Sequence, residues 1–286
     1  MSNGLYNGLE SGLHNGLYSG LDNGCHNGLY QNDSYIKIEL VKRGLLLSYN
    51  PSILLSYSPN TIKIRDLTTN NYNGILYNSI QFNPITKGMI FNGTNNYILT
   101  GLPTKSSGFD YYTDASEYIA VGIWIKYTDS QNSFVVSKRK ESSEGGEGGA
   151  YEVTVIGISS STAFGSNGTK ICTITGAAAG SSRQITSTNS YNDGRWHYIT
   201  LIQGKIFDTL YIDGQFIANS NVVSAVYQTS NTNLFLGVAG SSLNPLNALF
   251  YKGEVGAFHF YKMNVVPMNK EEMFNNYQVT KLKYAP

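Results

Sequence analysis

Beyond its opening repeat, the sequence predicts an all-β fold, and three observations carry that expectation. Residues suited to a pleated, half-buried surface are abundant, with 22 tyrosines in 286 residues, and asparagine, serine and glycine fill the intervals between them. Short apolar runs recur along the chain with turn residues on either side, the pattern of a sandwich or barrel. Tyr211–Phe216 places Asp213-Gly214 between two such runs, the strongest hairpin signal in the chain.

In chain order, the expected strands cover residues 44–49, 62–64, 88–91, 97–99, 118–127 and 133–137. They continue at 151–156, 170–175, 196–203, 207–212, 215–218, 234–236 and 254–261. Within 118–127, Ile119, Val121, Ile123 and Ile125 alternate with Tyr118, Ala120, Gly122 and Trp124. Both sets are largely apolar, so this strand is expected to be central and covered on both faces. Only residues 269–277 look helical, with Asn269 as cap and Glu271 and Glu272 in the first turn.

The opening counts in fours. Glycine stands at Gly4, Gly8, Gly12, Gly16, Gly20, Gly24 and Gly28; Leu5, Leu9, Leu13, Leu17, Leu21 and Leu29 follow it, and Cys25 replaces leucine once. A helix would lose about 1 kcal/mol per glycine relative to alanine, and collagen needs glycine at every third position. No basic start or continuous apolar core marks a secretory signal. An extended ribbon and a string of Asn-Gly and Ser-Gly turns both fit. The chain therefore divides into an anchoring arm, residues 1–34, and one β domain, residues 35–286, with the six leucines as the anchoring side chains.

Composition removes several classes. Net charge is +1 and charged residues make up only 14%, so nothing draws the chain to nucleic acid. Lys138-Arg139-Lys140 adjoins Glu141, Glu144 and Glu147 and is expected to be a solvated loop. Cys25 and Cys172 are expected to be independent thiols, since two cysteines make no disulfide framework. No apolar run reaches the roughly 18 residues of a membrane span. A glycosidase needs two facing carboxylates, and no strand carries a Glu-x-Asp-x-x-Glu run. His197 and His259 lie in expected strands and are assigned packing roles, so no catalytic residue is expected.

Seven segments together resemble a known family. They are GLLLSYNP at 44–51, RDLTTNNYNG at 65–74, FNGTNNY at 91–97, GIWIK at 122–126, NDGRWHYI at 192–199, LYIDG at 210–214 and YKGEVGAFHFY at 251–261. Glu271, Asn275 and Tyr277 follow in the family's closing helix. In this order they resemble the laminin-G-like, concanavalin A-like jelly-roll domains common in phage and bacterial surface proteins. The resemblance covers about residues 40 to 283 and excludes the Gly-Leu repeat.

The resemblance implies a two-sheet sandwich, and roles in carbohydrate binding, protein adhesion and virion decoration. Several members hold calcium through loop carboxylates; here Asn92, Asn95 and Asn96 stand where aspartates are frequent, leaving Asp66 with Asn70 and Asn73 as weak candidates. Tyr111, Tyr112, Tyr127, Tyr191 and Tyr227 are available as sugar platforms, whereas Trp124 and Trp196 are expected to be buried. The expectation is a non-enzymatic phage virion protein, on capsid or tail, anchored to other virion proteins through residues 1–34 and displaying the sandwich outward. The alternative is an adhesion module for host or environmental glycans, and a polysaccharide-degrading enzyme ranks last. No cofactor is required, and a homo-oligomer, such as the trimer of many fibres, rests on analogy.

Overall fold

The computed structural model describes residues 39–59, 61–104, 117–140, 151–160, 167–175, 183–204, 207–220, 232–239 and 249–284. The chain divides into two units, Met1–Leu40 and Val41–Pro286, and the architecture below is that of the second. The Gly-Leu repeat with its six anchoring leucines lies outside the described residues, as do Cys25, Tyr111, Tyr112, Tyr227, Glu141, Glu144 and Glu147.

The strands are β1 (Leu45–Tyr49), β2 (Lys63–Ile64), β3 (Gly74–Tyr77), β4 (Gln81–Phe82), β5 (Met89–Asn92) and β6 (Tyr97–Leu99). Next come β7 (Glu117–Lys126), β8 (Ser133–Lys140), β9 (Tyr151–Ser159), β10 (Lys170–Thr175) and β11 (Arg183–Ser190). The chain closes with β12 (Trp196–Gln203), β13 (Asp208–Ile212), β14 (Gln215–Asn219), β15 (Phe235–Leu236), β16 (Lys252–Asn264) and one helix, α1 (Lys270–Tyr284). They form two antiparallel sheets. Sheet one runs β14-β13-β12-β7-β16-β5-β4, with β1 also on β16, and sheet two runs β11-β10-β9-β8-β15-β6-β3-β2. The fold is therefore the expected concanavalin A-like sandwich with one short C-terminal helix.

Strand β7 shows why the layers stack as they do. Ile119, Val121, Ile123 and Ile125 point into the core between the sheets, against Val136, Ile156, Ile158, Ile171 and Ile185 of sheet two. Trp124 points the other way and is 0% exposed, packed with Trp196, Tyr198, Tyr284 and Tyr277 beneath α1. Its indole Nε1 donates to Thr280 Oγ1 at 2.7 Å, which satisfies the one polar atom of the buried ring. Beside it, Gly122 lies under Tyr198, where a Cβ would stand 2.2 Å from the phenol oxygen.

Helix α1 starts on a capping box. Glu272 N–H donates to Asn269 Oδ1 at 2.8 Å, and Asn269 N–H donates back to Glu272 Oε2 at 3.0 Å. Arg43 then grips Glu272 bidentately, Nε to Oε1 at 3.1 Å and a terminal nitrogen to Oε2 at 2.6 Å. The helix runs past the expected end at Tyr277 to Tyr284, whose hydroxyl donates to Asn50 Oδ1 at 2.8 Å. Tertiary packing on Trp124 extends it, since its own apolar pattern is weak.

Three strands escape the sequence reading. β3 and β4 are short, and β11 reads RQITSTNS, polar except for Ile185, yet it pairs with β10 and buries Arg183. The basic run is a correction. Lys138-Arg139-Lys140 ends β8 rather than forming a loop, because Lys138 pairs across from Thr154 on the inward face. Lys138 is 1% exposed and its Nζ donates to Thr232 O. That end of the interior is polar: Thr154 Oγ1 donates to Gln203 Oε1 and Gln203 Nε2 to Thr175 Oγ1, both at 2.6 Å. Arg183 lies 3.4 Å from Asp208 and donates to Gly204 O at 2.7 Å. Burial outweighs Arg183 and pushes the Asp208 carboxyl up to about 6.

Trp124→Ala removes the ring on which α1 sits. It is expected to lower unfolding stability by about 3–5 kcal/mol in urea titrations, and a loss below about 1 kcal/mol would show that the helix layer is dispensable.

Candidate functional site

Two turns meet at the end of sheet one where β7 finishes and β12 begins. Asp213 and Gly214 form the tight turn between β13 and β14, with φ of 52° and 76°, the geometry expected of Asp-Gly in a two-residue hairpin. The turn is fixed by Asp213 N–H donating to Tyr198 O at 2.9 Å and Tyr198 N–H donating to Asp213 Oδ1 at 2.8 Å. Asp193, in the turn before β12, accepts from Arg195 N–H at 2.9 Å and Arg195 Nε at 2.7 Å.

His197 joins these two turns. Its Nδ1 lies 2.7 Å from Asp213 Oδ2 and its Nε2 lies 3.1 Å from Asp193 Oδ1, with Tyr191 edge-on against the ring. Both nitrogens face acceptors, so both bonds form only when the imidazole is protonated. Burial works to lower its pKa, but the bonds and charges of Asp213 and Asp193 outweigh burial and hold it above the usual 6.5. Burial likewise opposes the charge of Asp193, yet Arg195 and His197 bring its pKa from 3.8 to about 2. A general base needs one nitrogen open to substrate. Here both are engaged, and His197 staples two turns.

Next to this staple, a cleft of about 550 Å³ opens between sheet one and the C-terminal half of α1. Trp196, Lys126 and Glu254 stand side by side across β12, β7 and β16, because each pairs in register with the next. Lys126 Nζ meets Glu254 Oε1 at 3.1 Å, and Thr86 Oγ1 donates to Glu254 Oε2. Thr86, Lys126, Arg195, His197, Tyr277 and Lys283 line the cleft with the small exposed part of Trp196, and Glu254 acts on it through Lys126 and Thr86. The lining combines hydrogen-bonding groups with aromatic rings, a combination that suits a polyhydroxylated ligand. Trp196 is buried as expected, 9% exposed and packed in the Trp124 cluster; Lys126, Glu254 and Thr86 carried no signal, because strand register joins the first two and a turn brings Thr86 to them.

The other sequence candidates are placed as follows. Asp66 Oδ1 accepts from Ser48 N–H and Thr68 N–H, both at 3.0 Å, and Oδ2 from Thr68 Oγ1 at 2.6 Å and Tyr72 N–H at 3.0 Å. Asn73 Oδ1 accepts from Asp66 N–H at 2.9 Å, and Asn70 Nδ2 donates to Leu46 O at 2.8 Å. The three side chains pin their loop to β1. Asn92 Oδ1 does the same in its own loop, accepting from the N–H groups of Thr94, Asn95 and Asn96 at 2.9, 3.1 and 3.2 Å. Among the described residues no group of three His, Cys, Asp or Glu is placed to hold a metal ion. Tyr127 is corrected as a platform: it is 3% exposed and its hydroxyl donates to Thr169 O at 2.7 Å. His259 is fully buried, with Nδ1 3.1 Å from Ser48 Oγ, and burial takes its pKa to about 4. Cys172 is buried and free, its thiol pKa raised by burial.

Fold and cleft together define a lectin-like sandwich. Residues 92–264, more than half the chain, match the concanavalin A-like lectin/glucanases superfamily in its laminin G branch, and the chain belongs to that superfamily. No curated protein matches it. Among solved structures, Trypanosoma rangeli sialidase in complex with sialic acid is similar at 13% identity and a TM-score of 0.60, over 99% of this chain and 40% of the sialidase. The binding domain of botulinum neurotoxin DC, in complex with rat synaptotagmin II, is similar at 14% identity and a TM-score of 0.54, over 84% and 52%. The binding domain of serotype C1 gives 12%, 0.56, 84% and 52%. The chain spans about half the length of the neurotoxin domains and less of the sialidase, and at these identities the likeness is one of fold.

The staple has a signed pH dependence. The part owed to a raised His197 is complete below about pH 6.5 and fades as pH rises through its folded pKa. The part owed to Asp193 is complete above its usual 3.8 and fades as pH falls toward about 2. In calorimetry the native chain is expected to lose thermal midpoint as pH rises above 6.5, and His197→Gln to lose that dependence; equal slopes would refute the staple. For the Asp66 loop, Asp66→Ala is expected to cost about 3 kcal/mol. Millimolar calcium or a chelator is expected to leave the native midpoint unchanged, and a calcium-dependent rise would overturn the pinning role.

Proposed function

We propose that this chain is a non-enzymatic virion surface protein whose sandwich recognises glycans at the cleft beside α1. The observation that carries the glycan reading is the cleft row of Thr86, Lys126 and Arg195 beside Tyr277 and the small exposed part of Trp196. Sugar recognition uses such pairings of ring surface with fixed donors and acceptors. The same site argues against hydrolysis. A glycosidase keeps one carboxyl protonated and another facing the sugar across a gap, whereas Glu254 is tied to Lys126 and Asp213 to His197.

Placement on a phage particle rests on the tetrad repeat and on the family's frequency in phage and bacterial surface proteins. Six leucines spaced by glycine and polar residues have no helix of their own to form. Laid along another virion protein, the segment gains order and apolar cover from that surface. Glycan adhesion is the display function, and attachment through residues 1–34 is its anchorage.

Two experiments separate the parts. On a glycan array, the native chain is expected to bind a defined subset of sugars, and the double variant Lys126→Met/Arg195→Ala to lose at least about tenfold in affinity, near 1.4 kcal/mol. Binding that is absent, or indifferent to both substitutions, would remove the cleft from the reading. Deleting residues 1–33 is expected to abolish incorporation into particles while far-ultraviolet circular dichroism stays β-rich. Normal incorporation would reject the anchor and leave the glycan result standing.

A further inference from the structure

A concentration of exposed aliphatic side chains lies at the outer edge of sheet two. Leu54 is 84% exposed, Leu55 73% and Ile62 69%, and all three line one cleft with Leu67. Single exposed aliphatics are ordinary, but four converging on a concavity are not. The cleft is large, about 1020 Å³.

Its exposed leucines are held outward by a fixed turn. Ser56 N–H donates to Ile53 O at 2.8 Å and Tyr57 N–H to Ile53 O at 3.0 Å, closing residues 53–57 on themselves. Ser56 is 1% exposed and ties the turn to the sheet edge: its Oγ donates to Arg65 O at 2.7 Å and accepts from Asn50 N–H at 3.0 Å. Leu54 and Leu55 therefore occupy the apex of an anchored element, where relaxation into the core is blocked.

The rim of this cleft is basic. Lys63 and Arg65 are exposed beside the aliphatic side chains, and neither forms an ion pair with an acid among the described residues. The one carboxylate in the lining, Asp66, is 8% exposed and fully engaged in pinning its own loop. No aromatic residue lines the cleft, which removes the platform a sugar would stack on. β2 is the terminal strand of sheet two, and Leu76 N–H bonds to Ile62 O across to β3. The outer edge of β2 is already covered by its own loops: Lys63 O accepts from Thr61 Oγ1 at 3.0 Å and Arg65 N–H donates to Ser56 O at 2.6 Å, so the cleft offers side chains rather than a free strand edge.

We propose that this edge cleft docks an extended protein segment bearing alternating aliphatic and acidic side chains, supplied by a neighbouring protein of the assembly. Aliphatic side chains would cover Leu54, Leu55 and Ile62, and acidic ones would meet Lys63 and Arg65, so recognition is by side chains rather than by strand addition. The inference stands apart from the glycan reading, which concerns a different cleft.

The test uses the full chain and short synthetic peptides in isothermal titration. A peptide of alternating leucine and glutamate is expected to bind, and versions with serine for leucine or lysine for glutamate to bind at least about tenfold more weakly. Leu54→Ser/Ile62→Ser and Lys63→Glu are each expected to weaken the leucine–glutamate peptide by about tenfold or more. Leu282→Ser, an exposed aliphatic on α1 outside the cleft, is expected to leave binding unchanged. Equal binding of the three peptides overturns the proposal, as does indifference to both edge variants. Leu54-dependent sedimentation with phosphatidylglycerol vesicles, without peptide binding, assigns the patch to lipid and also overturns it. Because the peptide comparison is made on the native chain, it decides the matter even where a variant fails to fold.

Discussion

Burial of β7 on both faces sets the architecture of this protein. A strand with isoleucine and valine on one side and Trp124 on the other cannot sit at the surface of a two-layer sandwich without leaving an indole in water. Sheet two covers the first face, and α1 covers the second through Thr280, Tyr277 and Tyr284. The helix must then be held at its other end, and the Asn269–Glu272 box with the Arg43 clamp does so. The cleft proposed for glycans exists because the C-terminal half of α1 stops over the end of that same strand, beside Lys126.

The two ends of the sandwich solve different problems. At one end the turns are tied from outside by His197, whose two carboxylate partners hold its proton. At the other, the interior itself is polar, and Thr154, Gln203 and Thr175 form a chain between the sheets beside the Arg183–Asp208 pair. Buried charges of this kind are costly to desolvate. Their return is registry, since a slip of either sheet would leave several of them without partners.

Much of the fold was legible in the residues. The double-faced apolar run predicted a covered central strand, Asp213-Gly214 predicted its hairpin, and Asn269 predicted the start of α1, because each depends on local chemistry. β11 was hidden since its polar residues pair with β10 and face a polar interior. The Lys138 run misled because charge next to glutamates suggests solvent, while pairing parity sent Lys138 inward. Of the candidate sites, Asp66 was visible as a loop residue, but only its four hydrogen bonds distinguish a pin from a ligand.

By itself the sequence determined the β class, the order of the family's segments, the capping of the final helix and the two-residue hairpin, all of which follow from backbone preference and periodicity. The tertiary structure alone decided which side chains share a cleft. Trp196, Lys126 and Glu254 are far apart in the chain and meet through register across three strands, Thr86 reaches Glu254 from a turn, and Leu54 joins Ile62 because Ser56 fastens the 53–57 turn to the sheet edge. Adjacency across strands is a property of pairing, and pairing is fixed by the burial of the whole core rather than by any local run of residues.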